Sequence, residues 1–308
     1  MSTDQDVIAN ILARLTEEAA RQELPEGDEL EANSVSNPEM TKLYIALKRG
    51  FRGAVGRAVR VSRGSGGVLS TGNRMFWASV LFTRLTVLAK SVLMLLPDPK
   101  PREHWDFSSV ASLVRNLQEA YLVYFWLCQD DVLENVREGR FILLYLHDYG
   151  SRKRLYPDLF EEGHWVYEDL VRQFDENPFL KTYTETQRRV ALKGEKTPFV
   201  QDEVLGRMGV DLANFRYMYR FFSQHTHTGP MSFYRMVDHD RGTGVETRHE
   251  KRYMILAISF AIDVLNRAIE GHLLIFPDAE TRKPHLTDKQ VELNVERNQG
   301  RAKPFRRR

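Results

Sequence analysis

Apolar side chains recur at helical spacing along most of the chain, and this pattern predicts a succession of α-helices. One apolar stripe covers residues 7–22, and a second covers residues 40–61. Two further apolar runs, over residues 73–96 and 120–128, predict helices that are buried on most sides. No stretch alternates between apolar and polar residues with paired turn signals, so no substantial sheet is expected. The sequence therefore predicts an all-α protein built as a multi-helix bundle.

A proline-rich break at residues 97–101 separates these first helices from the rest. Asp106 or Ser108 can cap the helix that follows, which we expect to end near residue 129. The last predicted helix keeps one polar face within an apolar cylinder, made of Asp263, Asn266, Arg267 and Glu270. The remaining predicted helices, with this last one, cover residues 132–149, 161–176, 177–192, 201–208 and 252–275. The helical-bundle domain is therefore expected to cover residues 40–278.

The two ends of the chain carry opposite charge. Residues 1–40 contain ten acidic and two basic side chains, whereas residues 281–308 contain three acidic and nine basic ones. We interpret residues 1–39 as an acidic helix and a polar linker, and residues 279–308 as a basic tail. A disordered, solvated tail and a tail that contacts phosphates both fit this composition.

The cysteine content and the first residues bear on the compartment. The one cysteine, Cys128, lies in an apolar run, which argues against a disulfide framework and against a cysteine-based metal site. The first residues are acidic and polar, unlike the basic and then apolar start of a secretion signal. We therefore expect a cytoplasmic protein.

Basic residues cluster in the second predicted helix, between Lys48 and Arg63, where no acidic residue intervenes. A continuous helix would align four of them on one face: Arg49, Arg52, Arg60 and Arg63. Such a face can bind nucleic acid or anionic lipid, remain solvated, or pair with the acidic amino-terminal segment. A non-enzymatic protein- or nucleic-acid-binding module could use this face, the basic tail, or an aromatic pocket near Trp126 and Tyr219.

Glycines interrupt the same helix at positions 50, 53 and 56, and each weakens a helix by about 1 kcal/mol relative to alanine. They leave the limits of the helix open. The glycine-rich residues 64–67 lack the lysine of a phosphate-binding loop, so we interpret them as a flexible connection.

The apolar run over residues 73–96 is long enough to span a bilayer. Arg84 and Lys90 interrupt it, and each costs about 2.5–3.5 kcal/mol near the membrane centre. A buried core helix is therefore favoured over an integral membrane span, and a membrane-associated protein is the alternative.

Candidate chemistry concentrates in residues 215–230, where aromatic, arginine, serine and histidine side chains precede an abrupt stop at a Gly-Pro pair. On a helix, Arg220, Ser223 and His227 share one face, and His225 points elsewhere. Another face is covered by Phe215, Tyr219 and Phe222. Our candidate catalytic residues are Arg220, Ser223 and His227.

A second group of candidates lies in the helix after the proline-rich break. Arg115 and Glu119 are i, i+4 neighbours beside apolar runs, so they could pair. Such a pair serves structure or marks a polar pocket, because buried charges must be hydrogen-bonded. We assign Arg115, Glu119 and His225 to a candidate binding pocket.

Neither a metal nor a cofactor is predicted. Histidines and acidic residues do cluster between His225 and His249, but no His-x3-His spacing occurs there. His225 and His227 would also diverge on a helix. The chain has no Gly-x-Ser-x-Gly elbow, cysteine–histidine pair or dinucleotide fingerprint.

Two motifs resemble an uncharacterised bacterial family, domain of unknown function 5677. Residues 108–120 (SSVASLVRNLQEA) are similar to its alanine-, serine-, arginine- and glutamate-containing helix, and residues 219–227 (YRFFSQHTH) resemble its second motif. The resemblance spans about residues 75–275. It implies a helical protein that pairs the two motifs, and it implies no activity, since the family has none that is settled.

A wider similarity is to HEPN proteins, helical bundles in which an arginine and a nearby histidine form a metal-independent ribonuclease site. Arg220 fits that spacing with His227 and with His225, but the helical angles place it with His227. Phe221 stands where those proteins usually carry a polar residue. The resemblance implies that His227 takes a proton from a ribose 2′-hydroxyl, that Arg220 stabilises the phosphate charge and that Ser223 holds the phosphate. It also implies RNA as a partner and a homodimer with a composite site.

A purely structural role is the alternative for the same residues. Arg220 would then bond Glu119 or Asp263 within the core. His227 would only end a helix, where the negative helix terminus favours an imidazolium.

Overall fold

The computed structural model of the protein describes residues 37–66, 68, 71–100, 103–157, 164–234, 244, 246 and 248–282. Ten α-helices and no strand occur within these ranges, which confirms the predicted all-α fold. The predicted helix at residues 7–22 and most of the basic tail lie outside the described residues.

The described helices follow one another along the chain. They are α1 (Asn37–Gly66), α2 (Asn73–Leu95), α3 (Phe107–Tyr124), α4 (Glu134–Leu155), α5 (His164–Glu176), α6 (Glu185–Lys193), α7 (Gln201–Met208), α8 (Leu212–Thr226), α9 (Pro230–Tyr234) and α10 (Arg248–Ile275). A π-helical turn, Phe125–Gln129, continues α3, and a 3-10 turn, Leu180–Thr182, precedes α6. Asp106 caps α3 as predicted, because its Oδ1 accepts from the backbone N–H of Ser109 at 3.1 Å.

Helix α1 corrects two predictions. It begins at Asn37, within the expected linker, and it includes residues 64–66, which were expected to form a flexible connection. Its glycines do not break it, since the buried side chains of Phe51, Val55 and Ala58 stabilise it through tertiary packing. At Gly64, an added Cβ would lie 1.8 Å from the carbonyl oxygen of Ala279, so the backbones approach too closely there for any side chain.

The single helix predicted over residues 177–192 is wrong in its first half. The side chain of Asn177 accepts from the backbone N–H groups of Phe179 and Leu180 at 3.0 and 3.1 Å, which forms the 3-10 turn. Thr184 and Gln187 then form a capping box that starts α6. Local side-chain bonds thus divide the segment.

Helix α2 is buried on one side only, which corrects the expectation of a core helix. Phe82 and Leu85 are fully buried, whereas an apolar stripe on the opposite side is exposed: Phe76, Val80, Val87 and Met94. By length and composition this helix could cross a membrane, with 39% of its most apolar window buried.

The chain divides into two compact units. The first contains the described residues within 1–58, 85–119 and 216–267, and the second contains those within 59–84, 120–215 and 268–308. In the first unit, Tyr44 is fully buried and donates its hydroxyl to the carbonyl of Pro97 at 2.6 Å. In the second unit, His272 stacks on Phe82 with ring centroids 4.0 Å apart, and burial lowers its pKa to about 3.

Candidate functional site

The predicted Arg/Ser/His face lies on the second half of α8, in the first unit. Arg220 and His227 are exposed, and Ser223 is half-buried. The hydroxyl of Ser223 donates to the carbonyl of Tyr219 at 2.8 Å, so its proton is already used within the helix. Its own carbonyl accepts from the backbone N–H of His227 at 3.0 Å, which extends the helical bonding to the first residue after α8.

The helix stops next to His227 for a local reason. Thr228 has a φ of 52°, in the left-handed region that β-branched residues rarely adopt. Gly229 then donates its backbone N–H to the carbonyl of Gln224 at 2.7 Å, and Pro230 cannot continue the ladder. The backbone is therefore strained directly beside the exposed histidine.

Arg115 brings the two predicted groups of residues together. Its Nη1 lies 2.8 Å from Nε2 of His227, and its Nη2 lies 3.1 Å from a carboxylate oxygen of Glu119. The predicted pair of Arg115 and Glu119 is thus present. The Arg115 side chain is only 16% exposed, whereas that of Glu119 is 44% exposed.

Tyr219 is the member of this cluster that our sequence analysis placed on an aromatic face and near an aromatic pocket, rather than with Arg115. Its ring lies beneath the guanidinium of Arg115, 4.9 Å from centroid to Cζ. Its hydroxyl accepts from Nη2 of Arg115 at 3.0 Å and donates to Glu119 at 3.1 Å. We call these four residues, Arg115, Glu119, Tyr219 and His227, the Arg115 centre.

The bond between Arg115 and His227 assigns the hydrogen-bonding roles of the two side chains. A guanidinium only donates hydrogen bonds, so Nε2 of His227 must accept. The imidazole is then neutral, with its proton on Nδ1. In this arrangement His227 has the form that a general base needs, although Arg115 occupies the lone pair of Nε2.

Arg220 has neither of the partners that a structural role would require. Glu119 bonds Arg115, and Asp263 bonds Arg267 at 2.9 Å. Arg220 forms no ion pair with any other described residue and is exposed. Arg220 therefore does not form either of the core ion pairs that the structural alternative expects.

His225 does not belong to the Arg115 centre. It is 4% exposed and packs edge-on against Phe107 and Phe221, at 4.7 and 5.2 Å between ring centroids. Tyr253 lies 6.4 Å from it. His225 thus lies in an aromatic cluster rather than a polar pocket, and it diverges from His227 as the helical spacing predicted.

The other candidate sites from the sequence are a metal-binding cluster and an aromatic pocket near Trp126 and Tyr219. Within the described residues, no group of histidine, cysteine and acidic side chains could hold a metal ion. Residues 238–240 and the side chain of His249 lie outside the described parts of the chain. Trp126 lines a cavity of the second unit, and Tyr219 is not among the residues that line it.

A family model described as "Family of unknown function (DUF5677)" matches residues 75–244, which is more than half of the 308 residues. The match includes both helices that form the Arg115 centre. No curated protein matches the chain significantly. No solved structure does so either.

Proposed function

We propose that this chain, which belongs to the family of unknown function DUF5677, is a cytoplasmic ribonuclease that needs no metal and uses His227 as its general base. The contact of 2.8 Å between Arg115 and His227 carries the proposal. It joins a neutral imidazole and a phosphate-binding side chain at an exposed position, which are the two groups that this reaction requires.

Substrate binding would release the base. A phosphate oxygen offers the guanidinium of Arg115 a stronger, charge-assisted partner than a neutral imidazole does. When Arg115 turns its Nη1 to the phosphate, the lone pair of Nε2 becomes available. Arg220 is exposed on α8, the helix that ends just before His227, and adds a second positive charge for the phosphodiester.

In the proposed reaction the ribose 2′-oxygen attacks the phosphorus, and His227 acts as the general base. Nε2 of His227 takes the proton of the ribose 2′-hydroxyl, and the 2′-oxygen forms a bond to phosphorus as the bond to the 5′-oxygen breaks. The products are a 2′,3′-cyclic phosphate and a 5′-hydroxyl, whose oxygen takes a proton from water. The hydroxide that remains takes the proton from His227, which returns the imidazole to its neutral form. Arg115 and Arg220 stabilise the charge that develops on the phosphate.

Two observations support a functional rather than a structural role for this centre. Nε of Arg115 is buried without a hydrogen-bond partner among the described residues, and such a group costs about 1–3 kcal/mol. Thr228 holds a strained conformation beside His227, which costs about 1–3 kcal/mol more. Costs of this kind cluster at functional sites.

Cleavage of labelled single-stranded RNA in EDTA tests the proposal. Wild type should cleave, and His227→Gln should cleave at least about a hundredfold more slowly, since glutamine can still accept from Arg115 but cannot take a proton. His104→Gln removes another exposed histidine of the first unit and should cleave like wild type. Circular dichroism should show all three folded.

Three outcomes would overturn the proposal. Wild type could leave RNA intact, His227→Gln could retain full activity, or a DNA strand of the same sequence could be cut as fast. The last result would exclude attack by a 2′-hydroxyl.

A non-enzymatic nucleic-acid-binding module is the second candidate, because the basic face predicted on α1 is exposed throughout: Arg49, Arg52, Arg60 and Arg63. In that case wild type would bind RNA without cutting it. The double variant Arg52→Gln/Arg60→Gln would weaken binding and reduce its salt dependence, whereas Arg152→Gln would not.

A further inference from the structure

The second unit contains a cavity of about 520 Å³, a size typical of small-molecule sites. Most of the residues that line it are apolar or aromatic. Aromatic rings from four separate positions line it, namely Trp126, Phe179, Tyr183 and Phe199, together with aliphatic side chains such as Val136 and Leu143. The ring of Phe199 lies 5.2 Å from that of Trp126, and the rings of Phe179 and Tyr183 are 5.7 Å apart.

The π-helical turn shapes one wall of this cavity. It closes with a bond of 2.8 Å from the backbone N–H of Asp130 to the carbonyl of Phe125, and it presents Trp126 to the cavity. Its carbonyls are bonded by buried arginines, since Arg140 donates to that of Trp126 and Arg137 donates to that of Leu127. Single π-helical turns are rare and occur frequently at functional sites.

The positive charges beside the cavity are already neutralised in part. Asp130, whose side chain is 5% exposed, binds Arg140 at 2.8 Å and Arg207 at 2.7 Å. Arg207 also donates to the carbonyl of Asp131 at 3.2 Å. Both guanidiniums that line the cavity are therefore held by one buried carboxylate and by backbone carbonyls.

The negative charges at the cavity are not neutralised in this way. The exposed carboxylates of Asp131 and Glu203 line it, and neither forms an ion pair with another described residue. The four charged side chains that line the cavity, Asp131, Glu203, Arg140 and Arg207, sum to zero net charge, and the buried Asp130 adds one negative charge through its bonds to both arginines. Burial, and then the charge of Glu203, raise the pKa of Tyr183, which places that carboxylate close to the aromatic wall.

We infer that this cavity binds an organic cation with an apolar or aromatic body, whose charged group lies among the aromatic rings beside Glu203. A cation gains from the faces of tryptophan, tyrosine and phenylalanine rings, and most strongly when it is desolvated. The guanidinium of Arg140 already lies 5.4 Å from the centroid of Trp126, so one ring of the cavity contacts a cation of the protein itself. This inference does not depend on the proposed ribonuclease activity.

Calorimetric titration with phenyltrimethylammonium tests the inference, and tert-butylbenzene serves as its uncharged isostere. Wild type should bind one cation per chain, at least about tenfold more tightly than the isostere. Glu203→Gln should weaken binding of the cation about tenfold and leave the isostere unchanged. Glu185→Gln, at another exposed glutamate of the second unit, should bind like wild type.

A second variant connects binding with the aromatic wall. Phe199→Leu keeps an apolar side chain but removes a ring, so it should weaken binding of the cation more than binding of the isostere. Circular dichroism establishes that each variant is folded. Absence of cation binding by folded wild type, equal affinity for the isostere, or tighter binding of benzoate that Arg207→Gln abolishes would each overturn the inference.

Discussion

Two arginines of this protein have the same kinds of neighbour and differ in how far water reaches the carboxylate that each one binds. Arg115 lies over the ring of Tyr219 at 4.9 Å and pairs with Glu119, whose side chain is 44% exposed. Arg140 lies over the ring of Trp126 at 5.4 Å and pairs with Asp130, whose side chain is 5% exposed. We call Arg140, Asp130, Trp126 and Arg207 the Arg140 centre.

The difference in exposure decides what each centre can do. Removing charges from water is costly, so the buried charges of Asp130 and Arg140 must satisfy each other. Arg207, whose side chain is 48% exposed, adds a second bond to the same carboxylate. At the Arg115 centre, water can replace any partner that leaves, so the guanidinium can exchange His227 for a ligand at little cost. The buried arginine can therefore shape a cavity, whereas the more exposed one can take part in a reaction.

The largest expected effect comes from breaking the Arg140 centre. Asp130→Asn keeps the shape of the side chain and leaves two guanidiniums without their anion, so we expect the free energy of unfolding to fall by about 3–5 kcal/mol. Urea unfolding monitored by circular dichroism measures this. The matched variant Asp175→Asn removes an exposed partner of Arg188 and should cost less than about 1 kcal/mol. A loss below about 1 kcal/mol for Asp130→Asn would remove the distinction between the two centres.

Acid should abolish that effect. Burial alone raises the pKa of Asp130, but the hydrogen bonds from Arg207 and Arg140 outweigh burial and hold this pKa below its ordinary value. The carboxylate therefore stabilises the folded state fully above about pH 4, the ordinary value, and this contribution is lost as the pH falls through the folded-state pKa. The gap between wild type and Asp130→Asn should shrink below about pH 4, by at most about 1.4 kcal/mol per pH unit. Unfolding titrations at several pH values measure it, and a gap that widens in acid would contradict the assignment.

The smallest effect is expected at the Arg115 centre. Glu119→Gln removes a half-exposed carboxylate, and Arg115 keeps its bonds to Tyr219 and His227, so the free energy of unfolding should fall by less than about 1 kcal/mol. The same urea titration measures this change. A loss as large as that of Asp130→Asn would mean that Arg115 is a structural residue.

Local sequence patterns predicted most of the fold and part of the candidate site. The pair of Arg115 and Glu119 depends only on spacing within one helix, and the divergence of His225 from His227 follows from the helical angle. The division of the segment after Asn177 could also have been predicted, since an Asn-Pro dipeptide marks a turn. Our prediction of one helix over residues 177–192 followed the helical periodicity and gave no weight to this turn signal.

Features that join distant positions could not be predicted in the same way. Arg115 and His227 are 112 residues apart, and no periodic pattern connects them. The cavity is lined by side chains from the π-helical turn, α4, the region of the 3-10 turn and α7. No pattern in residues 125–129 predicted the π-helical turn. Tertiary packing, rather than local preference, brings these groups together.

Gly64 sets a condition on how relatives of this chain can diverge. A side chain there would overlap the carbonyl oxygen of Ala279, and both positions lie outside residues 75–244, the part that the family model matches. Substitution of Gly64 therefore requires the backbone around position 279 to move. Homologues that carry another residue at the position of Gly64 should also differ in length or course around position 279, so these two flanking segments should be gained, lost and altered as a pair during evolution.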